Sequence, residues 1–325
     1  MKKLSFKLIL IALFLATAAT NAQGTKIKTF PDGVNGLEQY PQLTQVDLET
    51  VPVIVRNPTE AEIAELAARK KRTPELAGGG YVMEVTIEME DGIWVESNGK
   101  RIWTIALSVP NTEYMSAGLN EFYLAPNAEM YFFSPEGKEI LGPYIDAYVS
   151  SKKLGLQKYK DRFKARSKSV EEYEAFEADL AAQPFTILGV QCNGTMIIQI
   201  IEPADAEPRS TLKITRLVAT PSEEKTQKKA FGDALSCHRD VVCYPEWEEQ
   251  SNGVCKIITS ADDTASGALM NNTRQDKKPY ILTALHVFDT IDKDGKIGDG
   301  EHNNLTNARF VFFNKKKCVT TAIRK

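Results

Sequence analysis

From Tyr81 onward the chain alternates apolar and polar residues with a period of two, and short turns break the alternation at regular spacing. Tyr81-Val82-Met83-Glu84-Val85-Thr86-Ile87, Gly92-Ile93-Trp94-Val95 and Ile102–Leu107 are strand-like, with Asp91-Gly92 and Asn98-Gly99 between them as hairpin turns. A period of two sends alternate side chains to opposite faces, so such strands bury an apolar face by stacking sheets. Asn-Gly and Asp-Gly supply the positive φ that tight hairpins need. Phe122–Leu124, Met130–Phe133 and Glu139–Leu141 continue the series, and Phe185–Val190 and Met196–Glu202 resume it. The pattern predicts a mainly β fold with an antiparallel β-sandwich over residues 80–219. Trp94, Trp103 and the tyrosines could line a sugar-binding surface, but aromatics dominate cores and packing accounts for them more simply.

Two short helices interrupt the strands. Thr59-Glu60-Ala61-Glu62 is a capping box that opens an alanine-rich helix ending at Lys70-Lys71-Arg72. Acids at its start and bases at its end suit the helix dipole, so the basic cluster reads as a helix end rather than a binding patch. Ser169-Val170-Glu171-Glu172 opens a second helix running to Ala182, after a basic stretch from Lys152 to Lys168. Gly78-Gly79-Gly80 reads as a flexible joint. Residues 220–231 are polar without apolar period and read as a linker open to cleavage. The resulting division is 1–22, 23–79, 80–219, 220–231 and 232–325.

Residues 1–22 have Lys2, Lys3 and Lys7, an apolar stretch from Leu8 to Leu15 and small residues up to Ala22. This is the grammar of a signal peptide cleaved after Ala22, placing the protein in the periplasm or secreting it. No later segment approaches the ~18 apolar residues that would span a bilayer, so no membrane span is expected. The net charge is −3, and no acid offsets the three lysines of the first 22 residues. A net-acidic remainder has no overall electrostatic bias toward nucleic acid, which is not expected as a partner. The five cysteines, Cys192, Cys237, Cys243, Cys255 and Cys318, contain no C-x2-C pair. In an oxidising compartment they read as disulfide formers rather than zinc ligands, with at least one lacking an internal partner.

The chemistry-bearing segment follows the linker: Cys237-His238-Arg239-Asp240-Val241-Val242-Cys243, then Ser266-Gly267-Ala268-Leu269-Met270-Asn271-Asn272-Thr273, then Pro279-Tyr280-Ile281-Leu282-Thr283-Ala284-Leu285-His286. A histidine at a strand end can act as a general base if a nucleophile and an orienting carboxylate come within hydrogen-bond reach. In this order, with the Ala308–Phe313 strand before Cys318, residues 237–318 resemble the lysyl endopeptidase-like branch of the trypsin-like serine peptidases. The resemblance makes His286 the triad base and peptide or protein the substrate. It implies a fold of a sandwich-like pro-region followed by the first β-barrel of a trypsin-like double barrel.

The same resemblance pairs Cys243 with Cys318 and gives Cys237 a partner beyond residue 325. It assigns none to Cys192 or Cys255, whose pairing with each other stays open. The family has cysteines where Ala265 and Val287 stand here. In this fold class the triad runs His, Asp, Ser. Residues 287–325 contain no serine, and Ser266 maps to a structural strand. The expectation is therefore an enzyme relative carrying only the triad histidine, inactive as written through truncation or degeneration. An apolar sheet face that the second barrel would cover is expected to be exposed.

The loop after His286 has a second pattern. With Thr290 as position 1, Asp292 and Asp294 fall at positions 3 and 5, Gly295 at 6, Ile297 at 8 and Glu301 at 12. This is the calcium-loop grammar with Thr in place of the first Asp, and it makes Asp292, Asp294 and Glu301 candidate Ca2+ ligands, an acidic surface turn being the alternative. Two non-catalytic readings remain beside the peptidase: a secreted binding or inhibitory module acting on a related peptidase, and a calcium-binding surface protein.

Overall fold

The computed structural model describes residues 26–222 and 241–312, apart from internal positions 32, 75, 147–148, 151–156, 159, 162–163, 166, 168, 183–184, 188, 275–278 and 299–300. The expected signal segment, most of the linker, Cys237 and Cys318 lie outside the described residues. Strands β1 (Lys26–Thr29) and β2 (Val53–Val55) precede helix α1 (Glu60–Arg72) and the two-residue β3 (Ala77–Gly78). Then come β4 (Tyr81–Ile87), β5 (Ile93–Ser97), β6 (Lys100–Ser108), β7 (Thr112–Tyr123), β8 (Glu129–Phe133) and β9 (Glu139–Ile145). Helix α2 (Val170–Ala182) leads to β10 (Phe185–Thr186), β11 (Val190–Gln191), β12 (Thr195–Pro203) and β13 (Thr211–Pro221). The last part holds α3 (Glu248–Asn252), β14 (Val254–Ile258), β15 (Asp263–Met270), β16 (Tyr280–Leu282), α4 (His302–Thr306) and β17 (Arg309–Phe312). The fold is mainly β with few short helices.

Two sheets form the sandwich. One has the order β1-β9-β8-β12-β6-β2 with β5 also on β6; the other has β10-β7-β13-β4 with β11 also on β7. Among the described residues every pairing is antiparallel except β2 with β6. Trp103, Ile105 and Leu107 of β6 point into the core between the sheets, with Phe132, Ile198, Met115 and Leu217. Ile102 and Ala106 point the other way, into a second core closed by Phe30, Leu37, Leu43, Val46 and Val51 of the N-terminal segment. Both faces of β6 are thus covered, which is why it reads as a nearly unbroken apolar run rather than an alternation.

Several local expectations hold. The β5–β6 hairpin turns on Asn98 (φ 52°) and Gly99 (φ 73°), the two positive φ angles of a type I′ turn. The amide of Glu62 donates to Thr59 Oγ1 at 3.3 Å and that of Thr59 to Glu62 Oε2 at 2.7 Å, completing the capping box of α1. The amide of Glu172 donates to Ser169 Oγ at 3.1 Å at the start of α2.

Two expectations are corrected. Asp91-Gly92 is not a hairpin turn, because β4 and β5 belong to different sheets and the chain crosses between them. Gly92 is required there by packing: a Cβ would stand 2.5 Å from Trp103 Cε2 and Nε1. The glycine run at 78–80 is not a free joint. Gly78 pairs with Asp263, and the amides of Gly79 and Gly80 donate to Asp262 O and Ala261 O at 3.2 and 3.1 Å.

The third sheet has the order β16-β15-β14-β17, with β3 added on β15. Its core is small: Cys255, Ile257, Val287 and Phe288 are buried, with Ala265 and Ile281 against them. A buried ionic clamp fastens it to the sandwich. Asp262 Oδ2 accepts from Ser116 Oγ at 2.8 Å and Oδ1 from Arg309 Nη2 at 2.7 Å. Arg309 Nη1 donates to Ile187 O at 2.6 Å, and Nη2 also to Thr259 O. Arg69 of α1 pairs with Asp263 at 3.3 Å and donates to Gly80 O at 2.6 Å. Burial raises the Asp263 carboxyl, and Arg69 partly opposes this.

Candidate active site

The site is built by the end of β16 and the turn after it. β16 is an edge strand paired with β15 from Ala268↔Leu282 to Met270↔Tyr280. Just past it, Thr283 Oγ1 donates to Ser266 O at 2.8 Å and ties the chain back to β15. Ala284, extended at φ −81° and ψ 146°, then opens a single 3-10 turn over Leu285–Val287. Val287 and Phe288 turn into the small core and are nearly inaccessible. Anchoring those two side chains leaves the preceding imidazole outside, so His286 is solvent-exposed.

His286 stands on a groove of about 760 Å3 whose wall includes Ser266, Thr283, Cys255, Trp247 and, from the N-terminal segment, Leu76 and Ala77. Among the described residues the imidazole forms no hydrogen bond or ion pair, with Ser266 or with any carboxylate. Val287 is a buried member of the third sheet's apolar cluster, and Ala265 packs against that cluster. Next to the groove, one face of the sheet presents Val254, Met270, Tyr280 and Leu282 at 44–62% exposure. By register and alternation these four share a face.

The loop after His286 is arranged differently from its sequence grammar. Glu301 is buried and spends both oxygens on backbone: Oε1 accepts from the amides of Thr290 and Ile291 at 2.5 and 2.8 Å, and Oε2 from Gly298 at 3.0 Å. It is a loop brace, so the predicted set of Asp292, Asp294 and Glu301 is not brought together. Asp292 and Asp294 are instead grouped with Asp289. Sequence reading missed Asp289 because the calcium-loop register puts it before the first position; the clue was an acid immediately preceding Thr290.

The cysteines divide between regions. Cys243 is disulfide-bonded, while Cys192 and Cys255 are free thiols, one in the sandwich core and one in the third sheet's core. They do not pair with each other. Burial pushes the Cys192 thiol up to about 12 and also raises Cys255. The thiolate is the reactive form, so at pH 8 only about one Cys192 in ten thousand is ionised. An aromatic disulfide reagent is therefore expected to leave Cys192 unmodified in the native protein and to label it fully in guanidinium. Rapid native labelling of Cys192, read by peptide mapping, would contradict this burial.

The molecule so far is a two-sheet β-sandwich clamped to a third β-sheet that carries an exposed strand-end histidine on a groove. Residues 231–324, which contain strands β14 to β17 of that sheet, match the family model of the lysyl endopeptidase C-terminal domain. The match covers less than a third of the chain and marks this segment as peptidase-related. No curated protein and no solved structure matches the chain. No helix among the described residues is long and apolar enough to cross a membrane.

Proposed function

We propose that the protein is an exported relative of lysyl endopeptidase in which His286 occupies the general-base position of a trypsin-like site. The supporting observation is that His286 is set outward on a groove by its buried neighbours Val287 and Phe288, within the segment that matches the family. A trypsin-like base needs a serine to deprotonate and a buried aspartate to fix its tautomer. Residues 287–325 hold no serine. Asp289, the nearest acid in the tail, has Oδ2 engaged by the Gly295 amide. The 325 residues thus supply the base without the rest of the triad. In this reading Cys318 is the partner of Cys243.

Purified residues 23–325 are expected to release no product from casein or from a lysine ester above the buffer rate. Turnover by this polypeptide would overturn the proposed inactivity, and turnover that survives His286→Ala would remove the role of His286 as well.

A second reading is favoured by one contact. β3 extends the peptidase-like sheet as an added strand on β15, and its Ala77, with Leu76 just before it, walls the groove at His286. Strand addition of this kind is a common way for a segment to occupy a binding site. Residues 23–222 would then act as a pro-region-like module on a related peptidase. Inhibition of an active lysyl endopeptidase by this fragment in trans would support that role, and unimpaired turnover at saturating fragment would exclude it.

A further inference from the structure

We infer that the loop following His286 binds a calcium-class divalent cation through Asp289, Asp292 and Asp294. The three carboxylates each offer an oxygen, and these oxygens lie within 4.8 Å of one another. Anionic groups at that spacing repel one another, and a cation among them would offset the repulsion. The independent observation is Asp289 itself. It is 5% exposed; its Oδ2 accepts from the Gly295 amide at 3.0 Å, while Oδ1 is buried without a hydrogen-bond partner. A buried carboxylate oxygen left unpaired is costly, and a bound cation is one of the few groups that compensates it.

Chemistry selects the cation. The donors are all carboxylate oxygens, which suit hard divalent ions and not zinc or copper. Three ligands on a loop leave positions for water and carbonyl oxygens, as calcium's coordination by 6–8 oxygens allows, whereas magnesium demands near-ideal octahedral geometry and loses its water reluctantly. Asp292 and Asp294 are exposed, so the ion has a path from solvent. This is not an EF-hand. Asp289 takes the place that the motif gives to residue 290, and Glu301, at the motif's last position, is committed to three backbone amides. Those bonds brace the loop whether or not the ion is present. The inference does not depend on peptidase ancestry.

The test is calorimetric titration of chelator-treated residues 23–325 with CaCl2, and separately with MgCl2, alongside thermal melts at 5 mM of each. The expected result is one calcium site with a Kd of roughly 10⁻⁴–10⁻³ M, the range of extracellular calcium modules. Magnesium should bind at least tenfold more weakly. Asp294→Asn and Asp292→Asn change exposed side chains and should each weaken calcium at least tenfold with unchanged far-UV circular dichroism. Asp289→Asn should abolish binding, and Asp205→Asn, in a distant turn, should not alter it. Absence of both heat and a melting shift in the parent would overturn the site. So would calcium binding within twofold of the parent in Asp294→Asn, or magnesium binding as tight as calcium.

Discussion

Replacing Arg309 with alanine is expected to release the third sheet from protection while leaving the sandwich folded. Arg309 and Asp262 have side chains 4% and 2% exposed, so the pair is fully desolvated. The substitution strands the Asp262 carboxylate with Ser116 Oγ and removes the donor to Ile187 O and Thr259 O. Breaking a buried ion pair from one side costs about 3–5 kcal/mol, because the remaining charge has no water to turn to. The apolar cluster on that side is small, with Cys255, Ile257, Val287 and Phe288 as its buried members among the described residues, and has little to set against this cost. Hydrogen exchange at the amides of residues 254–258 should accelerate by two to three orders of magnitude, while residues 102–107 keep their protection. Exchange at 254–258 within twofold of the parent would show that the clamp does not hold the sheet. Loss of protection at 102–107 as well would show that the sandwich is not independent of it.

The second large effect is in the sandwich. Trp103 is fully buried and its Nε1 donates to Met89 O at 2.8 Å, closing the crossing between β4 and β5. Trp103→Ala removes the largest side chain in that core and leaves a carbonyl without its donor. Large-to-small changes of this kind cost about 3–5 kcal/mol. For a unit of this size that lowers Tm by roughly 8–16 °C. Trp94 lies directly opposite Trp103 on β5 but is 37% exposed, under the Arg101 guanidinium at 4.4 Å from the ring centroid. Trp94→Ala should cost less, about 2 kcal/mol, the scale of a cation–π contact whose cation is largely desolvated. A larger loss at Trp94 than at Trp103 would reverse this ranking and reopen the surface reading of the tryptophans.

Calorimetry on the two tryptophan variants also tests how the sequence encodes the fold. β4 was legible residue for residue, because one face is buried and its alternation survives. β7 and β13 were not, since β7 is covered by small residues such as Ser116, Ala117 and Gly118 and has no clean period. The N-terminal strands were missed for another reason. β1 and β2 are short edge strands that pair with β9 and β6, far along the chain, and neither has a periodic signal of its own. In the site, His286 was legible from the apolar strand that delivers it. The groove wall from Leu76 and Ala77 was not, because nothing near residue 76 announces a partner near residue 264.

Sequence alone determined what depends on a few neighbouring residues: the β period, the caps at Thr59 and Ser169, the Asn98-Gly99 turn and the outward histidine after an apolar strand. Only the tertiary structure decided which distant groups share one environment. Ser116 and Asp262 are 146 residues apart and meet at 2.8 Å. Asp289 enters the acidic cluster and Glu301 leaves it through backbone folding within a single loop. Dihedral preferences and caps act over one or two turns of chain, whereas burial forces polar groups to find partners wherever packing places them.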